Sequence, residues 1–192
     1  MITPFPRLYE VDEQPGYSER YEEALLNFEA TLSLGQASGE VAELLFFPHT
    51  GGCWRGRFRM GMRDYPTLVA TTPNPEFCLV VTGGIAYRVN VTEKTADHIN
   101  MRYPVTQIAE APASELLMLV DFCDLAAIGR SGVQWRTRDL ANDDLRVLSV
   151  EGKNLRYAGV ALGETCEYIA EIGSSGLSGI KIVSSAALQW RT

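Results

Sequence analysis

From residue 41 onward, short apolar runs closed by Gly, Pro or Asn recur along this chain, and they leave little room for anything but strands. Val41–Phe47, Cys53–Met60, Thr67–Thr71, Phe77–Val81, Ile85–Val91 and Leu116–Val120 are too short for core helices and end at residues that favour turns. Leu145–Val150 and Leu155–Val160 flank Glu151-Gly152-Lys153-Asn154, which reads as a hairpin. Val81-Thr82-Gly83-Gly84-Ile85 reads as a tighter one, because two glycines tolerate the positive φ such turns require. No long helix is expected after residue 28. The fold class this implies is all-β and mostly antiparallel.

The N-terminal stretch reads differently. Residues 1–17 hold Pro4, Pro6 and the Pro15-Gly16 pair, the signature of an extended arm ending in a turn. Ser18 then suits the cap of one short helix, with Glu19, Glu22 and Glu23 in its first turns and Tyr21, Leu25 and Phe28 on one stripe. From Phe28 to Leu34 apolar and polar residues alternate, so the helix is expected to run into a strand that stops at Gly35.

Three segments resemble one another. Phe77–Val81 runs through glycines to Ile85–Arg88, Phe122–Ile128 through Gly129–Gly132 to Val133–Arg136, and Thr165–Ile169 through Gly173–Gly179 to Ile180–Val183. Their cysteines, Cys78, Cys123 and Cys166, repeat about every 44 residues. All three tryptophans (Trp54, Trp135, Trp190) precede an arginine. Between residues 65 and 192 the chain resembles β-propeller repeat proteins and small uncharacterised bacterial β-rich proteins. That resemblance implies propeller-blade-like repeats and a binding platform, with no particular chemistry attached. A β-sandwich accounts for the same strands. At 192 residues one domain spanning 1–192 is the expectation.

Charge narrows the function. Of the formal net charge of −7, the whole excess lies before Pro48, where Arg7 and Arg20 face nine acidic residues; the remainder carries 15 of each sign. An acidic front is unsuited to neutralising phosphates, so nucleic acid is not an expected partner. No apolar run approaches the ~20 residues of a membrane-spanning helix, and Met1–Pro6 lacks a basic start followed by an apolar stretch. Neither membrane nor secretion is therefore expected, which points to the cytoplasm and to reduced cysteines.

Catalytic signatures are sparse. His49 and Cys53 sit four residues apart in a Gly-rich turn. Such a pair can serve as nucleophile and base or as two metal ligands. No second His lies nearby, however, and there is no Cys-x-x-Cys or His-x-x-x-His, so a turn histidine beside a strand-start cysteine is the expectation. The pairs Asp121/Asp124 and Asp143-Asp144 flank turns, where Asp bonds its own backbone. No nucleotide-binding fingerprint or nucleophile elbow is present, so neither catalytic residues nor a cofactor or metal is assigned.

The most informative segment is Cys53–Met60. On a strand, Arg55, Arg57 and Arg59 share one face at about 6–7 Å spacing while Trp54, Phe58 and Met60 share the other. Such a row of guanidiniums needs acids opposite it, either from the chain's own acidic front or from a partner. Arg55, Arg57, Arg59, Trp54 and His49 are accordingly the candidate binding residues of a non-catalytic protein-interaction or regulatory module. The alternative is a small-molecule or anion-binding protein, or a small enzyme, with a pocket near His49, Arg55 and Asp121. An edge strand would offer a further route to homo-oligomers.

Overall fold

The computed structural model describes residues 1–13, 25–28, 40–102 and 104–187. These form four four-stranded sheets, antiparallel throughout except where one strand lies parallel. The one helical element among them is a 3-10 turn at Pro112–Ser114. The chain divides into two compact units, Met1–Pro104 and Val105–Thr192. Each has its own buried apolar cluster.

In the first unit, one sheet consists of β1 (Tyr9–Asp12), β2 (Leu25–Phe28), β3 (Val41–Pro48) and β4 (Trp54–Arg59) in the order β1-β3-β4-β2. The other is a meander of β5 (Leu68–Thr71), β6 (Phe77–Thr82), β7 (Ile85–Asn90) and β8 (Thr95–His98). The β6–β7 hairpin turns on Gly83 and Gly84, both left-handed at φ 55° and 83°, the pairing a two-residue turn with right-twisted strands demands. The N-terminal arm is tied down along β5. Ile2 N–H donates to the Val69 carbonyl at 2.7 Å, and Thr71 N–H donates to the Ile2 carbonyl at 2.9 Å.

Two expectations for the N-terminal region change. Tyr9–Asp12, inside the supposed arm, pairs with β3 as a strand. Leu25 and Phe28, expected on a helix stripe, lie in β2 alongside β4. Parallel pairing with β4 outweighs the local helical spacing, because Leu26 and Phe28 then pack against the aromatic core. The cap at Ser18 and the alternation after Phe28 fall outside the described residues.

The second unit contains two consecutive meanders: β9 (Gln107–Ala111), β10 (Leu116–Val120), β11 (Leu125–Gly129) and β12 (Gly132–Thr137), then β13 (Asp143–Glu151), β14 (Asn154–Ala161), β15 (Glu164–Gly173) and β16 (Gly176–Ala187). Four-stranded antiparallel meanders in chain order are the unit from which propeller blades are built. Leu116, Met118, Leu125 and Ala127 meet Leu145, Leu155, Tyr157 and Ala170 in one core between the two sheets. The Gln107 side-chain amide joins them. Its Nε2 donates to the Val147 carbonyl at 3.0 Å and its Oε1 accepts from Val147 N–H at 2.9 Å.

The repeat is real as a succession of sheets, but the cysteines do not mark its phase. Cys78 lies in a second strand, Cys166 in a third, and Cys123 in the turn between β10 and β11. Equivalent second strands begin at Phe77, Leu116 and Asn154, so the structural period is 39 and then 38 residues. Strand–glycine–strand recurs at β6–β7, β11–β12 and β15–β16, which occupy different places in their sheets, and this is why the sequence match slipped by one strand.

Candidate binding surface on the first sheet

β4 is a central strand, and its alternation splits it as expected. Trp54, Gly56 and Phe58 face the core, where Phe46 stacks on Trp54 at 4.3 Å and Phe28 stacks on Phe58 at 5.1 Å. Gly56 leaves the space these rings fill, since a Cβ there would lie 2.7 Å from the Phe58 ring. Trp54 is fully buried, and its Nε1–H donates to the Val91 carbonyl at 2.9 Å. Trp54 is therefore a core residue, out of reach of any partner; on its strand, alternation put it opposite the arginines, and tertiary packing covered that side.

Arg55, Arg57 and Arg59 occupy the other face. Their cross-strand neighbours on β3 are Leu45, Glu43 and Val41, and Leu25 and Asn27 of β2 flank Arg55 and Arg57. Glu43 bridges the ladder. Arg55 Nη1 donates to Glu43 Oε2 at 2.9 Å and Arg57 Nε donates to Glu43 Oε1 at 2.6 Å. The acidic front thus supplies a carboxylate opposite the arginines from within the chain. Arg55 is buried, whereas Arg57 stays partly exposed and is held in place by the shared carboxylate. Arg63, just beyond β4, makes a similar pair with Glu40, its Nε donating to Oε2 at 2.8 Å.

The Arg57 guanidinium, with that of Arg55 beside it, holds the Glu43 carboxyl below the usual carboxylate range, against the opposing effect of partial burial. A carboxyl whose pKa is depressed on folding stabilises the fold above its unfolded pKa of about 4.3 and loses that contribution as pH falls through the folded value. The stability difference between wild type and Glu43→Gln is therefore expected to be largest near neutrality and to shrink as urea denaturation is repeated at progressively lower pH. A difference that stays constant down to acid unfolding would show that the bridge contributes nothing electrostatic.

The remaining candidates are dispersed. His49 is exposed in the β3–β4 turn, its backbone N–H donating to the Leu8 carbonyl at 2.9 Å. Asp121 belongs to the second unit, where its Oδ1 accepts from Cys123 N–H at 2.8 Å and Asp124 N–H at 2.7 Å. Asp124 Oδ1 in turn accepts from Asp139 N–H at 2.8 Å. These aspartates shape turns, the role their sequence setting suggested. Gly173–Gly179 likewise forms a hairpin and not a phosphate loop. None of the four cysteines is in a disulfide; Cys78 and Cys166 are buried. Among the described residues no group of three or more His, Cys, Asp or Glu could hold a metal ion.

Sequence reasoning missed the apolar residues around the ladder. Leu25 and Val41, each 46% exposed, lie on the same face as the arginines, as does Phe47, at 40%. The alternation of Val41, Glu43, Leu45 and Phe47 was the available signal, but it does not reveal which side of the sheet is covered.

No family model matches the chain, and no curated protein does. Among solved structures it is similar to Hsv2p of Kluyveromyces lactis, a yeast β-propeller protein, at 7% identity and a TM-score of 0.42. The match covers 76% of this chain and 55% of that one, so the chain spans about half the length of its structural neighbour. A likeness this distant says nothing of activity, ligand or partner. No helix among the described residues is long and apolar enough to cross a membrane.

Proposed function

We propose that this chain is a non-catalytic protein-interaction module whose contact surface is the exposed part of the arginine-bearing side of the β1-β3-β4-β2 sheet, around the buried Leu45 and Arg55. The observation that carries the reading is the pairing of an ordered, partly exposed arginine with exposed Leu25, Val41 and Phe47 on one sheet face. Arginine and aromatic residues are enriched at protein interfaces, and an arginine already fixed by a carboxylate loses little further freedom on binding. Glu43 neutralises part of the ladder, which favours a mixed apolar and polar contact over a purely acidic ligand. His49, at the end of the same hairpin, lies at the margin of this face. Trp54 supports the face from behind.

The test is affinity capture from native-source lysate with wild type, with the double variant Val41→Asp/Arg57→Ala, and with Leu162→Asp as a control at a fully exposed turn in the second unit. Arg55 is left intact, because reversing a buried charge against Glu43 would threaten folding. A stoichiometric protein retained by wild type and control, and reduced at least about tenfold by the double variant at unchanged melting temperature, is the expected result. Capture unaffected by the double variant would place the interface elsewhere. No captured protein from any bait would remove the interaction reading.

A further inference from the structure

β16 is the most exposed strand of the second unit. It is twelve residues long, pairs with β15 on one side, and has no other strand partner among the described residues. Ile180, Ile182 and Val183 are 47%, 66% and 48% exposed. A long apolar edge of this kind is a template for pairing with the same edge of another copy.

Three features oppose that pairing. Between Ser178 and Lys181 the ladder with β15 slips by one residue, and Gly179 there is left-handed at φ 60°, the conformation of a glycine bulge. A second slip falls between Ile182 and Ser184, where Val183 is the extra residue. Between the two bulges stands Lys181, exposed and the one charged residue of Gly176–Ala187. Two bulges within a few residues break the straight run of outward N–H and C=O groups that a second strand needs. An antiparallel pairing of two β16 strands centred on this segment would also bring two like-charged Lys181 side chains side by side.

From these observations we infer that Lys181, set between the bulges at Gly179 and Val183, is a gatekeeper that keeps the β16 edge from pairing with a second copy of this chain. The inference does not rest on the proposed contact face, which lies in the other unit.

Sedimentation velocity across a concentration series tests it on the full chain, comparing wild type, Lys181→Ile and Lys181→Glu, with melting temperature as the check on folding. Wild type and Lys181→Glu are expected to give one concentration-independent species, since either charge blocks pairing. Lys181→Ile is expected to self-associate at a concentration lower by about tenfold or more, because apolar cross-strand contact replaces the juxtaposition of two like charges. Adding Ile182→Glu to it should restore the single species. Lys181→Ile behaving as wild type would overturn the inference. So would self-association of Lys181→Glu to the same extent, or a wild-type dimer that Ile182→Glu dissolves.

Discussion

Replacing Trp54 by alanine is expected to destabilise the chain by about 3–5 kcal/mol, the range for removing a fully buried tryptophan from a packed core. The ring stacks on Phe46, meets Phe28 edge-on at 6.1 Å, and through them supports Phe58. Its Nε1–H also satisfies the Val91 carbonyl, at the end of the neighbouring sheet. Truncation would open a cavity among rigid aromatic rings and orphan that carbonyl in one step. Trp54→Phe keeps most of the packing and loses the bond, so its cost should be clearly smaller. Urea denaturation followed by far-ultraviolet circular dichroism measures both. Equal midpoints for Trp54→Ala and wild type would mean that this cluster does not hold the first unit together.

Gly159→Ala is the second large effect, and it arises in the other unit by the opposite mechanism. A Cβ at Gly159 on β14 would lie 2.4 Å from the Cβ of Ala141, in the connection between β12 and β13. Neither atom ends a flexible side chain, so the backbone itself must move. The same connection is pinned by Asn142 N–H donating to the Val160 carbonyl at 2.7 Å. A loss of about 2–3 kcal/mol is expected, at the upper end for overpacking by one methyl group. The cause makes the compensating change specific: Ala141→Gly, which costs about 1 kcal/mol alone as a buried methyl is lost, should cost nothing further in the Gly159→Ala background and should relieve the clash there. A double-mutant cycle by urea denaturation measures that coupling. Additive costs, with no recovery, would show that the two residues do not meet as described.

Both effects depend on contacts between residues far apart in the chain, and this limits what a sequence can disclose. Runs such as Leu116–Val120 and turns such as Gly83-Gly84 are local, so their character follows from side-chain alternation and from the φ that each residue tolerates. The ladder of Arg55, Arg57 and Arg59 was legible for the same reason, since a period of two places them on one face. Its neutralisation by Glu43 was not, because cross-strand register is fixed by the whole hairpin.

The sequence alone determined that this is an all-β chain of short antiparallel strands, because each strand and turn carries its own signature within a few residues. It also determined that Trp54 and the arginines must face opposite ways. Only the tertiary structure decided that Trp54 faces inward, that Leu25–Phe28 lies parallel beside β4, and that the blade-like repeat has a period of 39 and 38 residues. Alternation divides a strand into two faces without choosing between them. That choice belongs to the partners that bury one side, and they come from distant parts of the chain.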